Sequence, residues 1–243
     1  MKEMRPDVGM WRLYKMGGIT PAITSMFNPR NAQQMAFIRQ LLKDQRKHSL
    51  LDTPLHNLPL VVFDLETTGF TSTGGDEILS FGAVSMTGAE MEGKSFYSLV
   101  NPNRGIPEHI EKLTGITAVE TDQAPELIVV LREFFEFVGA RVLLAHGSAH
   151  DKAFLNAALW KTSKTSLTHR VIDSMMVAKW LIPGSREYSL DTLLKKYDIP
   201  VLRRHHALDD AKMTAVLWQK LLGEIREMDV DTLGDLYNLL SKA

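Results

Sequence analysis

Four apolar residues, Leu60-Val61-Val62-Phe63, run without a break into Asp64-Leu65-Glu66-Thr67-Thr68-Gly69, and this stretch constrains the chain most. β-Branched enrichment, shortness and the closing glycine favour a buried strand over a helix. Side chains two apart on a strand share a face, so Asp64 and Glu66 point the same way. Two adjacent carboxylates at the end of a buried strand repel each other and are poorly solvated, which is costly unless something cationic sits between them. Oxygen-only ligands suit Mg²⁺ or Mn²⁺. Taken alone, the pair also reads as a strand end entering solvent, and both readings stay open here.

The pattern around this strand is that of an α/β domain. Strand-like segments at Glu77–Met86 and Ser95–Val100, separated by Gly88 and Gly93, predict an antiparallel meander. The period then changes: residues 124–138 read as helix, 141–145 as strand, 151–160 as helix and 171–172 as a short strand. Helices follow near 174–181, 189–197, 207–226 and 231–241. Three strands followed by alternating helices and strands give a mixed sheet flanked by helices. Upstream, Met35, Ile38, Leu41 and Leu42 recur at helical spacing between Asn31 and about Lys47. The expected organisation is a basic, partly helical extension over 1–50, a linker over 51–59, a main domain over 60–226 and a helical tail over 227–243.

Charge is unevenly spread. Residues 1–50 hold nine Lys/Arg against three Asp/Glu, a balance of +6, so a chain with net charge −1 carries −7 in the remainder. Such an arm suits a phosphate backbone, and equally a solvated helical face. No run of 18 apolar residues and no secretory leader is present, which argues against membrane insertion. The absence of cysteine excludes disulfides and thiolate chemistry and fits a cytoplasmic protein.

Two more stretches carry chemistry. His205-His206-Ala207-Leu208-Asp209-Asp210-Ala211 opens the longest amphipathic helix, with Asp210 in its first turns. A histidine beside a carboxylate-rich site is a plausible base, because its pKa lies near neutrality. Asp209 is explained by the helix dipole alone, and His206 is expected to be an exposed neighbour. Between the two ends lies His146-Gly147-Ser148-Ala149-His150-Asp151, read as strand end, tight connection and helix start. Asp151 there needs no role beyond capping a helix, unless its strand lies beside the first one.

Taken together, these stretches resemble the DEDDh exonucleases, the superfamily of the epsilon proofreading subunit of DNA polymerase III, ribonuclease T and oligoribonuclease. That family's first motif, Asp-x-Glu-Thr-Thr-Gly, is matched by Asp64, Glu66, Thr67, Thr68 and Gly69. Its last, His-x-Ala-Leu-x-Asp-Ala, is matched by His205, Ala207, Leu208, Asp210 and Ala211. Leu113-Thr114-Gly115-Ile116-Thr117 is similar to a segment that many polymerase-linked members carry. The middle motif departs from the usual His-Asn-x-x-Phe-Asp: Gly147 replaces the amide and His150 the aromatic, while Asp151 is kept. The resemblance covers about residues 58–225, and residues 1–50 match nothing recognised.

The resemblance implies a ribonuclease H-like fold and a 3′→5′ exonuclease acting on a strand with a free 3′ end, DNA before RNA. It implies two divalent ions, Mg²⁺ or Mn²⁺, held by Asp64, Glu66, Asp151 and Asp210. His205 would take the proton of the attacking water. Thr67, Ile116 and His150 would hold the terminal nucleotide, and a DNA polymerase is an implied partner. The rival readings are a catalytically silent nucleic-acid or polymerase-binding module of the same fold, and an RNA-directed exoribonuclease. An HD-type phosphohydrolase is disfavoured, because His150-Asp151 follows a strand and Asp64 and Glu66 would have no role.

Overall fold

The computed structural model of the chain describes residues 29–45 and 50–242. The basic stretch expected before Pro29, together with Arg46 and Lys47, lies outside the described residues. The expected meander is present as β1 (Pro59–Thr67), β2 (Ile78–Thr87) and β3 (Glu90–Leu99), joined antiparallel. Parallel strands β4 (Val142–Ala145) and β5 (Val171–Asp173) extend the other edge, for a strand order β3-β2-β1-β4-β5. This is the mixed sheet flanked by helices that the sequence pattern predicts, in the ribonuclease H-like arrangement that the resemblance implies. β3 begins earlier than its sequence suggests. As an edge strand its first six residues, Glu90 to Ser95, are all exposed and carry no alternating apolar signal.

Pleat alternation divides β1 between two cores. Val61, Phe63 and Leu65 face one layer, formed by α1 (Pro29–Gln45), the later helix Leu127–Val138 and the helix Ala149–Ser163. Leu60 and Val62 face the other layer, built on the long helix Ala207–Ile225 and completed by Leu233–Leu240. Asp64 and Glu66 continue the Leu60/Val62 row, so they emerge beneath the long helix at its N-terminal end. Numbered in chain order, the helices after α1 are α2 (Glu108–Thr114), α3 (Ala118–Asp122), α4 (Leu127–Val138), α5 (Ala149–Ser163) and α6 (Ser174–Leu181). They continue as α7 (Leu190–Lys196), α8 (Ala207–Ile225) and α9 (Leu233–Leu240). α2 and α3 have no counterpart in the expected pattern.

The described part of the N-terminal extension is packed into this domain. Ile38 and Leu42 on α1 are 0% and 1% exposed, within the core layer beneath α4 and α5. The segment expected as a linker carries Leu55 and Leu58 in the opposite core. It also bridges to the tail, with Leu55 N–H donating to the Asp231 carbonyl at 2.8 Å. Burial of these four apolar side chains, at about 1.5–3 kcal/mol each, ties α1 and the 51–59 segment to the sheet.

Candidate active site

The first motif is shaped by one neighbouring carboxylate. Asp76 accepts from the Thr68 hydroxyl at 3.2 Å and from the Thr71 N–H at 3.0 Å. A Cβ on Gly69 would stand 2.4 Å from Asp76 Oδ2, so a side chain there would push aside the carboxylate that holds this loop over the end of β1. Thr67 donates its hydroxyl to the Gly69 carbonyl at 2.6 Å, closing the same turn. Glu66 is 8% exposed and Asp64 half-buried, and both line the same cleft.

Asp151 is delivered by the β4–α5 connection. Gly147 turns this connection at φ +71°, a left-handed conformation in which an added Cβ would also meet the Met175 methyl at 3.1 Å. Glycine takes this conformation without strain. Asp173, at the end of β5, clamps the turn by accepting from Gly147 N–H (3.0 Å), Ser148 N–H (2.8 Å) and the Ser148 hydroxyl (3.1 Å). Asp151 follows in the first turn of α5, 5% exposed, with hydrogen bonds from its own N–H and that of Leu65 on β1. His146 lies just before the turn. Its Nε2 sits 2.8 Å from the Tyr188 carbonyl and must carry a proton to bond there. Burial lowers its pKa, so it is a neutral brace for the loop before α7.

Asp210 comes from α8, and a glycine allows that approach. Gly82 is paired with Asp64 across β1 and β2. A Cβ on Gly82 would lie 2.1 Å from the Ala207 and Leu208 backbone, so the helix start rests directly on the strand. His205 precedes it at φ +57°, an uncommon conformation for a residue with a side chain. It is held there by its N–H, which donates to Asp210 Oδ2 at 2.9 Å. Ligand atoms of Glu66, His205 and Asp210 all lie within 4.8 Å of one another. His206, expected to be exposed, instead stacks on Tyr97 with ring centroids 4.7 Å apart and caps α8.

The electrostatics follow from this crowding. Burial, then Asp151, Glu66 and Asp210, raise the Asp64 pKa well above the ordinary carboxylate range. Burial followed by Asp210 pushes Glu66 up to about 8, and burial pushes Asp151 up to about 7. Asp210 is raised by burial against the opposing charge of Arg204. Hard oxygen donors that hold protons this strongly are a chemical fit for divalent ions of the Mg²⁺ or Mn²⁺ class, whose charge removes the repulsion.

Of the residues singled out from sequence, Asp64, Glu66, Thr67, His150, His205 and Asp210 line one cleft of about 350 Å³. Asp151 lies behind it, against Asp64. Ile116 does not line it: at 5% exposure it packs with Leu79 and Ile110, and Leu113 and Thr114 of the same segment reach the cleft instead. His150 stands 3.4 Å from the Thr67 hydroxyl and 6.1 Å, edge-on, from Phe70, which is 80% exposed at the rim. Sequence reasoning missed Phe70, Asp173, Asp191 and Arg204. Arg204 donates to Asp210 through Nη1 and to Asp191 through Nε at 2.6 Å.

Among known proteins, the sequence model of the family described as Exonuclease (RNase T) matches residues 61–217. A DNA polymerase III of the PolC type from Bacillus subtilis (strain 168) is 35% identical over 184 residues, covering 75% of this chain and 12% of the relative. A DNA polymerase III subunit epsilon-like protein from Rhodobacter capsulatus is 34% identical over 205 residues, 83% of this chain and 29% of its own length. The chain thus spans less than a third of either relative. Among solved structures, Exonuclease X in complex with 5′-overhanging duplex DNA aligns with a TM-score of 0.59 at 22% identity, over 75% of this chain and 99% of that one. The nuclease domain of 3′hExo, a DEDDh family member bound to rAMP, aligns at 0.61 and 23%, over 68% and 92%.

Proposed function

The chain belongs to the exonuclease (RNase T) family, and from that premise we propose that it removes nucleoside 5′-monophosphates one at a time from the 3′ end of a nucleic-acid strand, DNA before RNA. The observation that carries this reading is the convergence of Glu66, His205 and Asp210 within 4.8 Å at the head of β1, beside Asp64 and Asp151. The four carboxylates would hold two divalent ions, whose positive charge offsets theirs and, when bound, stabilises the attacking and leaving oxygens. His205 takes a proton from the attacking water. The water oxygen bonds to the terminal phosphorus, the P–O3′ bond breaks, and the released 3′ oxygen is protonated from solvent. Thr67 and His150 flank the terminal nucleotide, and the half-buried His150 ring, its pKa lowered by burial, is neutral and free to pack on it. The similarity to polymerase-named relatives supports a DNA polymerase as a partner.

The test uses 5′-labelled single-stranded DNA and RNA with Mg²⁺, Mn²⁺ or EDTA. A ladder shortening stepwise from the 3′ end, abolished by EDTA and faster on DNA, is expected. Shortening from the 5′ end or internal cutting refutes the reading. A gel shift without degradation in either metal replaces it with a binding module.

A further inference from the structure

We infer that Arg204 is a resident counter-cation of this site, which holds Asp210 and must yield it to an incoming divalent ion, with Asp191 as the residue that positions it. The inference rests on the two-ion reading above. Arg204 immediately precedes His205 and lines the same cleft. Its guanidinium is divided between two carboxylates: Nε and Nη2 reach Asp191 at 2.6 and 3.4 Å, while Nη1 reaches Asp210. Asp191 lies in the first turn of α7, its side chain 63% exposed, whereas Asp210 is buried.

The planar fork explains the division of labour. With two of its nitrogens on Asp191, the third is aimed at Asp210 by geometry, at little further entropic cost. The single positive charge also reaches beyond its hydrogen bonds, opposing the repulsion at Asp64 and Glu66 as well as at Asp210. A divalent ion ligated by Asp210 Oδ1 competes with Nη1 for the same oxygen. Arg204 therefore keeps the carboxylates compensated and raises the ion concentration needed to occupy them.

Hydrogen bonds to charged groups contribute about 1.5–3 kcal/mol, which corresponds to roughly tenfold or more in affinity. Titration of the full chain with Mn²⁺ alone, read by calorimetry, tests the inference without reference to activity. Arg204→Gln should bind Mn²⁺ about tenfold tighter than wild type. Asp191→Asn should also bind it tighter, by a few-fold, because the released fork no longer aims at Asp210. The double variant should match Arg204→Gln alone, since Asp191 acts only through Arg204. Unchanged or weaker binding by Arg204→Gln overturns the inference. So does weaker binding by Asp191→Asn, which is the effect of simply deleting a nearby negative charge. If wild type itself takes up no Mn²⁺, the two-ion reading fails and takes this inference with it.

Discussion

Replacing Glu66 by Gln should stabilise the protein in EDTA, by an amount set by pH. The Glu66 carboxyl sits at about 8 in the folded chain against an ordinary 4.5. Below pH 4.5 both folded and unfolded chains carry its proton, and it costs nothing. Between 4.5 and 8 the unfolded chain releases the proton while the folded one retains it, so stability falls as pH rises, by about 1.36 kcal/mol per pH unit. The loss is about 3 kcal/mol at pH 7 and approaches 4–5 kcal/mol at pH 8, then levels off. Gln keeps the shape of the side chain without this loss. For a domain of this size about 1 kcal/mol moves Tm by roughly 2–4 °C, so the variant should melt about 6–12 °C above wild type at pH 7 and about 1–3 °C above it at pH 5. Mn²⁺ at a hundredfold excess over its Kd adds about 2.7 kcal/mol to wild type and little to the variant, closing the gap. Thermal melts at pH 5, 7 and 8, with EDTA or Mn²⁺, measure all of this. A gap that does not widen with pH, or a variant that melts below wild type in EDTA at pH 8, refutes the reasoning.

Gly82→Ala should cost about 1–3 kcal/mol and weaken Mn²⁺ binding, because the added methyl pushes the α8 backbone off β2; an unchanged melt would show that the helix start can shift freely. His205→Ala should lose about 10²–10⁴-fold in rate while retaining Mn²⁺. His206→Ala should lose about 0.5–1.5 kcal/mol of stability through its Tyr97 stack but stay within about tenfold of wild type in rate, and the reverse ranking in a single-turnover assay would exchange their roles. Leu42→Ala should cost about 2–5 kcal/mol in chemical denaturation, since its side chain is 1% exposed in the α4–α5 core; a cost near zero would make α1 a detachable arm.

What the sequence revealed and what it hid divide along physical lines. β1, β2, β4 and α8 were legible because burial leaves a continuous apolar run or a helical period. The three carboxylate stretches were legible because their residue types sit at element ends with no structural need for so much charge. β3 was partly hidden because an edge strand facing water need not alternate. α2 and α3 are too short to show a period, although Thr117 and Glu120 form the capping box that marks the start of α3. Ile116 was misplaced because an apolar residue after a helix-ending glycine looks the same in sequence whether it turns toward a cleft or a core. Arg204, in the turn before α8, and Asp191, on α7, meet only through the fold, thirteen positions apart, and no local pattern records that pairing.

The long helix is measured against a strand. Its start rests on Gly82, and eleven residues after Ala207 the Trp218 indole donates to the Gly88 carbonyl at 3.1 Å, beside Gln219 on Ala89. Five steps along β2 and one into the turn after it cover about 20 Å, while eleven along a helix cover about 16 Å, a difference that the length of an indole makes up. Strand and helix are thus two rulers pinned together at two marks. An insertion of one residue between Asp210 and Trp218 would rotate one mark by about 100° and slide it about 1.5 Å relative to the other. Either the indole or the carboxylate would then lose its place. The interval between them can change in composition, but its length is set by β2.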